Sequence, residues 1–320
     1  MDLRTHYLGM ELKNPFVPSS SPLSKTLDRA KQLEDCGASA IIMHSLFQEE
    51  IEEGTAVGVG NEMASHLAPP SPLARSDEYL EQFVRLKNAL DIPIVPSLNG
   101  TSVGDWVSYA TELENAGAKA LELNVYYVAA SLDETANSVD QRVVDLFCAV
   151  NDKFSQPIGV KLAPFFSAVG NLVKALEASG AGGVSLFNRF YQPNIDLDNL
   201  ELSAALELST SGDALLAMRW LAILKGRVGL SLAATGGIHF AEDALKMLLC
   251  GADVTYLSST LLANGPKQLT RICDSTVRWL EQHNYGSISE IKGLMSQANS
   301  SDPAAFERGH YMKLLRSYVL

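Results

Sequence analysis

The chain has 320 residues, 47% of them hydrophobic, and a formal net charge of -12. That length suits one α/β barrel and can bury a large core without disulfide staples. The acidic balance argues against nucleic acid and anionic membrane as partners, yet it leaves room for a phosphate ligand held by backbone amides and helix N-termini.

Residues 1–15 open with a β-hairpin pattern, Thr5–Leu8 and Glu11–Lys13 turning about Gly9, suited to plugging a barrel floor. Eight short apolar runs follow: Phe16–Ser19, Ala40–His44, Ile92–Leu98, Ala120–Val125, Pro157–Leu162, Gly183–Phe187, Ser231–Ala234 and Asp253–Leu257. Most are apolar throughout rather than alternating, as parallel strands buried on both faces should be. Amphipathic segments separate them and predict helices over Thr26–Asp35, Ser76–Leu90, Val103–Ala116, Ser138–Phe154, Ala168–Ser179, Asp213–Lys225, Ala241–Cys250 and Pro266–His283. Four of these helices end alike, at Cys36-Gly37-Ala38, Ala116-Gly117-Ala118, Ser179-Gly180-Ala181 and Cys250-Gly251-Ala252. Each glycine can take the left-handed position after a helix, with a strand beginning at once. These junctions precede strands two, four, six and eight. A two-unit period repeated four times predicts an α/β fold of the TIM (β/α)8 class in a single domain spanning residues 1–320. Phe190–Gly212 reads as an insertion after strand six, and Ile288–Leu320 as a helical extension with Asp302-Pro303 as a start signal.

The four cysteines, Cys36, Cys148, Cys250 and Cys273, are far apart and form no CxxC pair. They read as reduced, mostly buried thiols, and no metal site is expected. Met1–His6 is polar, and no apolar run reaches the ~18 residues of a membrane span, so a soluble, cytoplasmic protein is expected.

Barrels of this class carry their chemistry at the C-terminal ends of the strands. Standing there are Ser19, Ser20 and Ser21 after strand one, His44 after strand two, and Asn99 after strand three. Asn124, Tyr126 and Tyr127 follow strand four, and Lys161 ends strand five. Ser185, Asn188 and Arg189 follow strand six, Gly236 and Gly237 strand seven, and Ser258 and Ser259 strand eight. The Gly-Gly and Ser-Ser pairs occupy the two loops that often cradle phosphate. Lys161 is costly inside a strand unless its charge is used. It reads as a cation against an electron-rich ring, as a Schiff-base amine, or as a solvated strand end. Of Tyr126 and Tyr127, alternation sends one to the core and leaves the other to offer a hydroxyl as proton donor. His44 reads equally as structural or as a ligand of cofactor or substrate.

These residues resemble the dihydroorotate dehydrogenases. Lys13-Asn14-Pro15-Phe16 with the Ser19–Ser21 run is similar to their opening motif, and Gly159-Val160-Lys161-Leu162 to their strand-five lysine motif. Thr235-Gly236-Gly237-Ile238, Asp243-Ala244 and Cys250-Gly251-Ala252 resemble their strand-seven to strand-eight region. The soluble branch is the nearer one. The resemblance implies an FMN-bound oxidoreductase acting on a CH–CH or C=C bond of a small, pyrimidine-like substrate, with a homodimer plausible and the electron donor or acceptor unknown. It implies Ser19, Ser20 and Ser21 beneath the flavin and Lys161 at its N1–C2 edge. It also implies Gly236, Gly237, Ser258 and Ser259 on the phosphate, Asn124 beside flavin or substrate, and Gly212 as the glycine of the loop after strand six. His44, Asn99 and Ser185 complete the expected cofactor set, and Asn188 and Arg189 join Asn124 for substrate.

The departures concern the substrate half. The family's strand-two lysine falls on His44, and its Asn-x-Ser-Cys-Pro-Asn loop reads Asn124-Val125-Tyr126-Tyr127-Val128-Ala129. The catalytic cysteine thus falls on Tyr127, an orotate-binding asparagine on Ala129, and a strand-six asparagine on Ser185. The family's Asn-rich substrate loop finds no match in Gly60–Ser71. A tyrosine, with an ordinary pKa of about 10, suits proton donation better than proton abstraction. The expectation is a changed substrate, with Tyr127 and Lys161 as catalytic residues. Two alternatives stand beside it: a Schiff-base lyase using Lys161, and a flavin- or phosphate-ligand barrel without catalysis.

Overall fold

The computed structural model describes residues 1–52, 72–190, 192–203, 207–308 and 311–317. Eight parallel strands form one sheet: β1 (Phe16–Pro18), β2 (Ile41–Phe47), β3 (Ile94–Gly100), β4 (Leu121–Val125), β5 (Ile158–Leu162), β6 (Gly183–Leu186), β7 (Ser231–Thr235) and β8 (Val254–Leu257). The order runs β1-β8-β7-β6-β5-β4-β3-β2, every neighbour parallel. The seam between β1 and β2 is drawn together by Ser39, whose N–H and hydroxyl both donate to Phe16 O at 3.1 and 3.0 Å. The barrel predicted from the sequence is therefore present.

The helices α1 (Leu27–Asp35), α2 (Pro72–Ala89), α3 (Tyr109–Asn115), α4 (Ala136–Asn151), α5 (Val169–Ala178), α6 (Ala214–Leu224), α7 (Ala241–Cys250) and α8 (Lys267–Gln282) alternate with the strands. Their apolar faces meet the outward residues of the strands in one continuous core that includes Leu33, Phe83, Leu113, Phe147, Leu176 and Leu221. All four repeated glycines are left-handed, with φ between 92 and 113° at Gly117, Gly180, Gly37 and Gly251. One element differs from its expected form. Val103–Ala116 is not a single helix: a 3-10 turn at Asp105–Ser108 buries Trp106 before α3 begins. The Trp106 indole N–H donates to Ser102 O, which holds the chain off the α-helical path.

The N-terminal hairpin, Thr5–Tyr7 paired with Met10–Leu12, turns through Leu8 and Gly9, both at positive φ. Tyr7, Leu8 and Leu12 are buried with Val17, Ile42, Val95, Ala233 and Val254 in a second cluster inside the barrel. Leu8 N–H donates to Ser231 Oγ at 3.1 Å, and Thr5 Oγ1 donates to Asp253 O at 2.8 Å. Both partners stand at strand beginnings, so the hairpin seals the N-terminal floor. The insertion after β6 forms a further hairpin, Asn194–Asp196 with Glu201–Ser203. The C-terminal extension supplies Ile288–Ile291, a 3-10 turn at Pro303–Phe306 after Asp302, and a helix at Tyr311–Ser317.

Candidate active site

A cavity of about 540 Å³ opens at the C-terminal ends of the strands. Its size falls in the range of small-molecule and cofactor sites. Nine of the residues expected from the sequence line it: Ser19, Ser20, Lys161, Asn188, Arg189, Gly236, Gly237, Ser258 and Ser259. They come from four loops and the end of β5, brought together by barrel closure.

The glycine pair after β7 and the serine pair after β8 lie on one side. Gly236 and Gly237 both have positive φ, 89 and 73°, and lead toward α7. A Cβ on Gly237 would lie 2.3 Å from Ala214 N and 2.7 Å from Thr210 O, so glycine is required where this turn passes the start of α6. Ser258 and Ser259 open the short helix Ser259–Asn264 across the cavity. Ser209, which the sequence reading passed over inside the insertion, ties the loops together. Its N–H donates to Ser259 Oγ and its hydroxyl accepts from Gly237 N–H, each at 3.2 Å.

Lys161 lies on β5 at the cavity floor, buried apart from its access to the cavity. Its partner is Glu122 of β4, one of the most buried side chains in the molecule at 1% exposure. The ammonium stands 3.7 Å from Glu122 Oε1, beyond hydrogen-bond range, and makes no hydrogen bond among the described residues. Ser97 donates its hydroxyl to the same oxygen at 2.9 Å, Ser45 lies 2.9 Å from Ser97, and Ser20 lies 3.1 Å from Ser45. A chain of side chains thus runs from the cavity wall at Ser20 through the barrel to Glu122, beside Lys161. Below it Tyr7 and Tyr256 share a 2.7 Å hydroxyl contact, and Ser185 sits 3.5 Å from Tyr7. Burial, reinforced by Glu122, drives both tyrosines well above their ordinary values and keeps their hydroxyls neutral.

Glu122 and Tyr256 were not singled out in the sequence, while Ser45 and Ser97 stood at the ends of strands two and three beside His44 and Asn99 with no role assigned. Glu122 carried a readable signal, since a carboxylate inside an apolar strand is as anomalous as a lysine there.

Seven expected residues do not line the cavity. Asn124 stands one step behind it, accepting from Asn188 Nδ2 at 2.7 Å, and Asn99 pairs with Asn124 across the strands. Ser185 is fully buried beneath the floor. Ser21 caps the 3-10 turn Pro22–Ser24, accepting from Leu23 N–H at 3.4 Å. Gly212 lies in the exposed turn Ser211–Asp213.

His44 faces outward. A bulge in β2 between Ile42 and Ser45 adds one residue against β3, and that extra residue turns Ser45 inward in place of His44. The imidazole packs edge-on against Tyr79 at 5.1 Å, with Nδ1 3.5 Å from Ser24 Oγ. Burial, with Lys25 nearby, lowers its pKa to about 4.

Tyr127 is also engaged elsewhere. Its hydroxyl donates to the Glu134 carboxylate at 2.6 Å, and Arg142, itself hydrogen-bonded to Glu134, covers its ring at 4.4 Å. The hydrogen bond to Glu134 raises its pKa. Tyr126 instead lines the cavity and stacks on Phe190 of the insertion, with centroids 3.9 Å apart. The segment Gly60–Ser71 lies outside the described residues.

A family model described as dihydroorotate dehydrogenase matches residues 2–280. The chain belongs to this family. It is similar to the catalytic subunit of dihydroorotate dehydrogenase B (NAD(+)) from Pyrococcus abyssi, 25% identical over 299 residues that cover 91% of this chain and 98% of that protein. The like-named subunit of Bacillus pumilus is 27% identical over 298 residues, covering 89% and 94%. The match of this dihydroorotate dehydrogenase family member to its relatives thus extends over barrel, floor hairpin and cavity loops together. The residues present also fit the flavin mononucleotide that the family resemblance implies. The two-glycine turn and paired serines suit a phosphate, and an ammonium with unused donors faces the same cavity.

Proposed function

We propose that this protein is an FMN-dependent oxidoreductase of the dihydroorotate dehydrogenase type whose substrate half has diverged. The observation that carries the proposal is the placing of Lys161 and the Gly236–Gly237 turn on one cavity of about 540 Å³. When bound, FMN would supply hydride transfer to or from a carbon–carbon bond of a small substrate. Gly236, Gly237, Ser258 and Ser259 would hold its phosphate. Ser19 and Ser20 would line its underside, and Lys161 would place positive charge where negative charge builds on the reduced ring. Asn188, oriented by Asn124, and Arg189, whose guanidinium donates to Glu207 O, would meet the substrate at the cavity mouth. The Tyr126–Phe190 stack would wall that side and exclude water.

The relatives are named as catalytic subunits with NAD(+) in their names. We extend from this a need for a separate electron carrier. The four cysteines are unpaired, and no metal-ligating cluster occurs among the described residues. No helix among the described residues is long and apolar enough to cross a membrane, which is in keeping with a carrier met in solution.

An absorption spectrum of the purified protein, followed by anaerobic titration with dihydroorotate, tests this reading. A yellow protein that dihydroorotate does not bleach is expected. Bleaching would restore the family's own substrate. A colourless protein that refuses added FMN would refute the proposal, and trapping of a carbonyl substrate by borohydride would assign Lys161 to Schiff-base chemistry. Bound flavin that no reductant or acceptor can turn over would mark a barrel without catalysis.

A further inference from the structure

Four charged side chains are buried among the described residues: Glu122, Lys161, Asp243 and Asp253. Two of them are well satisfied. Asp243 accepts from Ser211 Oγ at 2.7 Å and from the N–H groups of His239 and Phe240, each at 3.1 Å. Asp253 accepts from Leu232 N–H and from Lys292 Nζ, each at 2.8 Å. Glu122 differs. Its Oε1 has one hydrogen bond, from Ser97, and the 3.7 Å approach of Lys161, while its Oε2 is buried with no partner.

A buried carboxylate so poorly satisfied costs stability, and its nearest compensation is the lysine ammonium. The attraction acts on both partners. It draws Lys161 down toward the barrel interior, and it offsets the positive field that Lys161 presents to the cavity. The neighbouring titratable groups, Tyr7 and Tyr256, stay neutral. Glu122 and Lys161 are then the opposed charges of the upper barrel interior, and only the lysine reaches the cavity.

We infer that Glu122 is a positioning residue that restrains Lys161 and attenuates its charge, thereby setting how strongly the cavity stabilises negative charge on a bound flavin. The inference rests on the flavin reading above. Ser97 takes part because its hydroxyl donates to Glu122 Oε1 at 2.9 Å and holds that oxygen beside Lys161.

Sulfite provides the test on the FMN-loaded protein, because it adds to N5 of oxidised flavins and leaves negative charge on the ring. Lys161→Met is expected to weaken sulfite binding. Glu122→Gln keeps the shape but removes the opposing charge, and is expected to tighten sulfite binding by roughly tenfold, the scale of one unit charge about 10 Å from the ring at an effective dielectric of about 20. The flavin midpoint potential should rise in the same variant. Glu122→Asp, whose shorter side chain draws the carboxylate back from the 3.7 Å approach to Lys161, should tighten sulfite binding by a smaller factor and serves if Glu122→Gln fails to fold. A yellow Glu122→Gln protein with unchanged or weaker sulfite binding would overturn the inference and leave the flavin reading intact. A wild-type protein that neither carries nor takes up FMN would overturn both.

Discussion

Replacing Gly237 by alanine isolates the physical requirement of the phosphate-type cradle, because its neighbour provides an internal control. Both glycines have positive φ, 73° at Gly237 and 89° at Gly236. A Cβ in this region costs about 1 kcal/mol or somewhat more from backbone strain alone. At Gly236 little else is met, the nearest atom being Phe187 O at 3.8 Å. At Gly237 the Cβ would lie 2.3 Å from Ala214 N, 2.7 Å from Thr210 O and 2.9 Å from the Asp213 carbonyl carbon. All three are backbone atoms. The turn that holds them is pinned by Asp213, which accepts from Thr210 N–H at 2.7 Å. Opening that contact by about 1 Å adds an overpacking cost on the order of 1–3 kcal/mol. Gly237→Ala is therefore expected to lose about 2–4 kcal/mol in total, and Gly236→Ala about 1 kcal/mol. Urea denaturation of the two variants measures the difference, and FMN titration by flavin fluorescence measures the cradle. Gly237→Ala should also bind FMN far more weakly, since the displaced turn carries the amide that Ser209 now holds. Equal stability losses in the two variants would refute the reasoning.

Three further outcomes follow from the site. His44 has its pKa lowered to about 4 against an ordinary 6.5, so the unfolded chain binds more protons between those values and stability falls as pH drops through that window. The loss is at most about 3 kcal/mol; His44→Gln should flatten the pH–stability curve between pH 6.5 and 4, and an unchanged curve would show that His44 is not held neutral. Tyr127→Phe should leave FMN binding and turnover near wild type, because Glu134 and Arg142 engage this side chain away from the cavity lining; lost turnover with FMN retained would return the proton-donor role to Tyr127. Cys250 is buried with its thiol pushed up to about 11, so alkylation of the native protein near neutral pH should spare it, and rapid labelling of Cys250 without unfolding would contradict its burial.

The barrel was legible because its evidence is repeated. Eight apolar runs and four Gly-Ala junctions each report the same architecture, and the left-handed φ at Gly37, Gly117, Gly180 and Gly251 is the property that made those junctions readable. The place of the Gly236–Gly237 and Ser258–Ser259 loops on the cavity was legible for a related reason, since the loops after β7 and β8 are fixed by the fold before any ligand is considered. The hairpin of the insertion and the reach of Ser209 into the cradle were not legible, because no periodic pattern encodes how a long loop returns to the site.

The interior of the barrel shows a different limit. Its strands are apolar on both faces, so alternation does not announce which residues point inward. Position along a strand must then be counted from a known anchor, and the count fails wherever a strand gains a residue. From Ile42 the inward face of β2 should next hold His44, yet the bulge passes that place to Ser45, which joins Ser20 and Ser97 in the chain leading to Glu122. One inserted residue therefore exchanges a titratable imidazole for a small hydroxyl at the barrel interior. It leaves Lys161 facing the cavity with Glu122, rather than a second cation, as its charged neighbour. The family's strand-two lysine falls on His44 in sequence, and in this fold that position lies against Tyr79 on the outer face. Among the described residues that line this cavity, the positive side chains are therefore Lys161 on β5 and Arg189 at the mouth.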